Sequence, residues 1–223
     1  NLRTVYPEYG NGRRGDGSQP MIRPEPRAPG NDPERERALE SYRWASSLPG
    51  PDDPAYPGSR APLHVVLDNL RSAYNVGSIF RTADACRAAH LWLCGMTAHP
   101  PHPKLEKTAL GAEHAIRWSY FERNRDCVAR LKELGIPIVA LEVLPGAIPC
   151  HRFNWPRPVA LVVGNEDHGV HERVLRQSDA VVCIPMLGVK NSLNVATAFG
   201  IAAYGILRDW GWLDPQGSPD RDP

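Results

Sequence analysis

The chain has 223 residues, 42% of them hydrophobic, enough to bury one sizeable core with room for a small second one. Its formal net charge is +1, which excludes a global basic field, so any nucleic acid must be held by a local patch of Arg and Lys. Its five cysteines, Cys86, Cys94, Cys127, Cys150 and Cys183, are widely spaced, form no C-x-x-C pair and are odd in number; this argues against a disulfide framework or a zinc site and for a reducing compartment such as the cytoplasm.

Taken in chain order, residues 1–61 come first as a proline-rich extension. Eleven of the 23 prolines fall within the first 62 positions, mixed early on with Gly, Arg and Asp and almost no periodic apolar pattern, so most of this stretch is expected to be mobile. Within it, "DPERERALESYRWASSL" predicts a helix near 33–47, with Asp32 as cap, Pro33 in the first turn and Ala38, Tyr42 and Ala45 on one face. Glu8, Asp16 and Glu25 make the beginning too acidic for a typical organellar presequence, although organellar import stays open. No apolar run reaches the ~18 residues of a membrane span, and no membrane partner is expected.

From Pro62 the texture changes to short apolar runs separated by helical patterns. The runs "LHVVL" (63–67), "LWLCG" (91–95), "IPIVAL" (136–141), "VALVVG" (159–164) and "AVVCIP" (180–185) predict strands, with helices near 77–89, 122–134, 170–177 and 192–208. Continuous apolar strands alternating with helices indicate an α/β domain, 62–213, whose mostly parallel sheet has helices on both faces. In 122–134, Val128, Leu131 and Leu134 are read as facing inward; the last helix has little polar face and is read as buried. Residues 214–223 are read as a mobile tail. "AHPPHPK", with His99 and His102, suggests an exposed rigid loop, and no metal is expected there.

Three of the strands run into polar clusters. After "LHVVL" comes "DNLRSAYNVGSIFR" (68–81), after "ALVVG" comes "NEDHG" (165–169), and after "VVCIP" comes a segment containing "KNSLNVA" (190–196). In an open parallel sheet, ligands sit beyond the carboxyl ends of the strands, so the three are expected to converge on one crevice. Singly each is ambiguous: Asn75 could merely cap a helix that carries Ile79, Ala83 and Cys86 inward, Arg81 could lie on a solvated face, and Ser192, Asn191 and Asn194 could be caps and no more. Gly164-x-Glu166-x-x-Gly169 is neither a phosphate loop nor a dinucleotide fingerprint, which disfavours an α/β enzyme that uses a phosphate-bearing nucleotide.

In order and spacing, "NLRSAYNVGSIFRTADA", "VVGNEDHGV" and "IPMLGVKNSLNVATAFGI" resemble the three motifs of the SpoU/TrmH family of RNA ribose methyltransferases, within the SPOUT class. The resemblance covers most of residues 63–208 and implies a deep trefoil knot at the carboxyl end of the domain. It also implies a homodimer, S-adenosylmethionine as cofactor, and transfer of its methyl group to a ribose 2′-hydroxyl of tRNA or rRNA. A non-catalytic RNA-binding or partner protein on the same fold is the alternative, against which the complete motif set argues.

Carried across residue by residue, the resemblance makes Arg81, Asn75, Glu166, Ser192 and Asn194 the catalytic set. Arg81 is expected to clamp a phosphate and stabilise charge on the 2′-oxygen, because a guanidinium keeps its proton too firmly to act as a base. Ser192 and Asn194 are expected to cap the last helix and also face the reacting ribose or phosphate. Leu141, Gly164, Ile184, Met186 and Leu193 are implied around the cofactor. Gly164 and Gly169 suit a close backbone approach to the cofactor or a turn with positive φ. Many family members carry a separate amino-terminal RNA-binding domain; residues 1–61 do not resemble one. Arg71, Lys104, Lys107 and Arg117 are the candidates for a phosphate-binding patch.

Overall fold

The protein is described here by a computed structural model that defines residues 59–213. The predicted helix near 33–47, the rest of the extension before Ser59 and the tail from 214 lie outside the described residues.

Seven strands form one sheet: β1 (Ala61–Asp68), β2 (Ala88–Cys94), β3 (Trp118–Phe121), β4 (Ile138–Leu141), β5 (Ile148–Pro149), β6 (Val159–Gly164) and β7 (Ala180–Cys183). Their order is β3-β2-β1-β6-β4-β7-β5, and every neighbouring pair is parallel. Helices α1 (Ala73–Ala85), α2 (Pro103–Ala109), α3 (Ala112–Ala115), α4 (Asn124–Glu133), α5 (Glu172–Leu175) and α6 (Val195–Asp209) complete the described elements, with a short 3-10 turn at Cys150–Arg152.

The alternation of side chains along each strand explains the two cores. On β1 and β6, Leu63, Val65, Leu67, Val159, Leu161 and Val163 pack with Val76, Ile79 and Phe80 of α1 and Phe199, Ala202 and Ile206 of α6. The intervening Val66, Ala160 and Val162 face the other way, onto Cys127, Val128 and Leu131 of α4 and Val174 of α5. Burial on both faces is why these strands read as continuous apolar runs. Leu134, expected to face inward, is 46% exposed, because the helix ends on it as a cap.

Two observations set up the site. First, β1 is aligned so that Asp68 is opposite Gly164 of β6 on one side and Cys94 of β2 on the other, so the polar segments after β1 and β6 start level with each other. Second, the chain builds outward from β1 in one direction through β2 and β3, then crosses back to build β6, β4, β7 and β5 on the other side. The order therefore reverses at the β1–β6 boundary, where ligands of open α/β sheets bind.

Candidate active site

The helix starts orient the polar residues. In α1 the cap is Ser72, whose side chain accepts from Asn75 N at 3.3 Å, so Asn75 lies inside the first turn and its amide is free for other work. In α6 the cap is Asn194, whose Oδ1 accepts from Ala196 N at 3.0 Å and Thr197 N at 3.3 Å. Ser192 does not cap this helix, contrary to expectation: it precedes the cap by two residues and lies along the adjoining cavity instead.

Three residues far apart in the chain form one relay. Asn194 Nδ2 donates to Asn75 Oδ1 at 3.1 Å, and Asn75 Nδ2 donates to Glu166 Oε1 at 2.8 Å. Glu166 also accepts from Arg71 N at 2.8 Å and Ser72 N at 3.0 Å, so the second cluster holds the approach to α1 by its main chain. Burial alone would raise the Glu166 carboxyl's pKa; the donors from Arg71, Asn75 and Ser72 outweigh it and hold the group below its ordinary value. Arg71 itself pairs with Asp167, both side chains being exposed.

The turn carrying Glu166 is braced from three sides. Asn165 Oδ1 accepts from Asp167 N at 2.9 Å and His168 N at 3.1 Å, while its Nδ2 donates to Asn69 O at 2.7 Å. Asp68, fully buried at the end of β1, accepts from His171 N at 2.8 Å, Asn124 Nδ2 at 3.1 Å and Asn69 Nδ2 at 2.9 Å. Glu142, just beyond β4, accepts from Val170 N and Val143 N, each at 2.9 Å. Asp68 and Glu142 were not singled out from the sequence. A lone acid after a strand reads as solvated, and main-chain donors leave no trace in residue identity.

The glycines of the second motif serve the chain itself. Gly169 has φ +69°, and a β-carbon there would overlap the Glu142 carboxylate; one at Gly164 would overlap the main chain of Gly169 and Val170. Both permit the 165–170 turn to fold back tightly.

Beside the relay is a cavity of about 600 Å³, within the usual size of a small-molecule site. Leu141, Gly164, Ile184, Met186 and Leu193, the five residues expected around a cofactor, all line it, as do Glu166, Ser192 and Asn194. Asn75 reaches it only through the relay. Arg81 is not among the lining residues. It is exposed on α1, and its guanidinium makes no hydrogen bond or ion pair with another described residue.

Charge decides what the cavity suits. Its wall carries the carboxylates of Glu142, Glu166 and Asp167 and no Lys or Arg, alongside the apolar side chains of Leu141, Val163, Ile184 and Met186. A phosphate-bearing nucleotide would meet repulsion there. S-adenosylmethionine fits: its ammonium and sulfonium outnumber its one carboxylate, and its adenine is flat and largely apolar.

The fold and rim together define an α/β protein with an acidic, partly apolar cavity beyond the carboxyl ends of β4, β6 and β7. The sequence model of the SpoU rRNA Methylase family matches residues 62–204, and the chain belongs to that family. It is 31% identical over 149 residues to a tRNA (guanosine(18)-2′-O)-methyltransferase of Aquifex aeolicus, covering 66% of this chain and 69% of that protein. With the Escherichia coli K12 enzyme of the same name it shares 29% identity over 149 residues, 66% of this chain and 63% of that one. Among solved structures, the SpoU methyltransferase AviRb of Streptomyces viridochromogenes in complex with the cofactor AdoMet superposes with a TM-score of 0.61 at 29% identity, covering 72% of this chain and 65% of that one. The match thus spans about two-thirds of the length of these relatives.

Proposed function

We propose that this protein uses S-adenosylmethionine to methylate a ribose 2′-hydroxyl in tRNA or rRNA. The observation that carries the reading is the relay Asn194–Asn75–Glu166, which ties all three motifs to the rim of an acidic cavity. When bound, the cofactor supplies a methyl group activated on a positively charged sulfur. The residues must then align a weak nucleophile with it and manage the charge that develops. Leu141, Gly164, Ile184, Met186 and Leu193 hold the cofactor. Ser192, whose hydroxyl takes no partner among the described residues, faces the incoming ribose or phosphate, and Asn194 presents its helix start to the same groups. Asn75 and Glu166 fix the geometry of that rim.

Arg81 enters through a homodimer. Its helix packs against α6, where Gly200 lies 3.8 Å from Thr82 if given a β-carbon, and α6 leaves Ile201 and Tyr204 exposed at 47% and 43%. Exposed apolar side chains on α6, and a guanidinium without a partner among the described residues on the helix packed against it, support a two-fold contact that carries Arg81 to the partner's cavity, there to bind phosphate in bidentate fashion. A carboxyl-terminal trefoil knot belongs to the same proposal. It is supported by β7, which slots between β4 and β5 although both precede it in the chain. The free cysteines among the described residues suit the reducing conditions of the cytoplasm.

The test is methyl transfer from labelled cofactor to total tRNA and rRNA lacking 2′-O-methyl marks, followed by mass-spectrometric location of the mark. Wild-type protein is expected to methylate one RNA class. Asn75→Ala, which removes the middle of the relay, is expected to lose about 10²-fold or more in rate, the scale of a lost aligning or charge-stabilising group. Failure of the wild type to transfer methyl to either RNA class would refute the proposal.

A further inference from the structure

Of the three carboxylates in the cavity wall, Asp167 is paired with Arg71, and Glu166 is turned toward the main chain that starts α1. Glu142 differs from both. Among the described residues its carboxylate meets no cation, and its oxygens are held only by the neutral N–H groups of Val143 and Val170, each at 2.9 Å. Those donors fix where the charge sits without cancelling it. The chain also forgoes a side chain at position 169, where a β-carbon would displace the carboxylate. The result is a fixed, uncompensated negative charge in a wall otherwise lined on that side by Leu141, Val143 and Leu144.

S-adenosylmethionine and S-adenosylhomocysteine, the donor and its spent form, differ by one methyl group and one positive charge. Apolar lining and main-chain hydrogen bonds treat the two nearly alike. A fixed carboxylate does not, since it attracts only the added charge. Resting on the proposed reading of the cavity as the cofactor site, we infer that Glu142 is a specificity-determining residue that tilts this site toward the sulfonium donor and helps the thioether product to leave. The role is separate from bracing the loop: bracing strengthens both ligands together, whereas charge recognition strengthens one.

Calorimetric titration of the full-length protein with each ligand separates these roles. The quantity read is the ratio of the dissociation constant for S-adenosylhomocysteine to that for S-adenosylmethionine. In Glu142→Gln this ratio is expected to fall by about five- to tenfold, while Glu142→Asp, which keeps the charge, holds the wild-type ratio even if both affinities weaken. Equal weakening of both ligands in Glu142→Gln would reduce the residue to a loop brace and overturn the inference. If Glu142→Gln does not fold, as judged by thermal unfolding, the wild-type ratio is measured between about 50 mM and 1 M salt. There it is expected to shrink, and a constant ratio would overturn the inference. Wild-type protein that binds neither ligand refutes the cofactor reading itself, a result distinct from an unchanged ratio.

Discussion

Side chains that titrate on the sheet's other face give the molecule a pH dependence unrelated to its cavity. His64 and His90 sit opposite each other on β1 and β2 with ring centroids 6.5 Å apart. Burial depresses each to about 4, and for His90 the neighbouring His64 and Arg117 add to the effect. His64 Nδ1 accepts from Trp92 Nε1 at 3.2 Å, an acceptor that protonation would abolish. Because both pKa values are lowered on folding, the unfolded chain binds more protons between pH 4 and the ordinary value near 6.5; stability is then full above that value and lost as pH falls through the window. Thermal unfolding between pH 5 and 6.5 is expected to show a falling melting temperature, and the double variant His64→Asn/His90→Asn a flatter one; an unchanged slope would count against this assignment. At the same scale, the legibility of the cavity was uneven. Asn75, Glu166, Ser192 and Asn194 stood out because each follows an apolar run in a recognisable spacing. Asp68 and Glu142 did not, because what they hold is backbone.

Helix α1 depends on how closely α2 approaches it. A β-carbon at Gly77 would overlap Leu105 O and Thr108 Oγ1 of α2, and the Thr108 hydroxyl in turn donates to Tyr74 O at 2.9 Å. Gly77→Ala should therefore destabilise the domain by about 1–3 kcal/mol despite better helix propensity, measured by denaturant unfolding, because two elements would have to move apart. This contact was invisible beforehand, since α2 itself was. Its sequence "HPPHPK" reads as a loop, yet His102 Nδ1 accepts from Lys104 N at 3.2 Å and Pro103 occupies the first turn, so the segment contains a cap and start signal in place of mere rigidity. The short α3, β3 and β5 escaped notice because none of them lies in a continuous apolar run like those that marked β4 and β7. For α1 the pattern suggested a start at 77; the true start at Ala73 follows from Ser72 taking the cap that Asn75 could have had.

For the molecule as a whole, a parallel sheet covered on both faces was readable from strand texture, whereas strand order was not, because which strands become neighbours depends on crossovers that residue patterns do not encode. The last helix, read as buried, leaves Ile201 and Tyr204 exposed in the single chain, the part of its apolar surface that the dimer implied by the family resemblance would cover. If that surface is the dimer contact proposed above, Ile201→Glu is expected to yield a monomer by light scattering, with methyl transfer falling with the loss of the partner's Arg81. A dimer that persists unchanged would place the contact elsewhere. The insertion of β7 between two strands made before it has one more consequence. The walls of the cavity belong to segments at 141–144, 163–170 and 184–198 together with Leu175, and the segment at 184–198 follows β7 in the chain. A chain in which β7 has not joined the sheet therefore lacks one wall of the cavity, so any ligand that needs this pocket needs the whole sheet assembled.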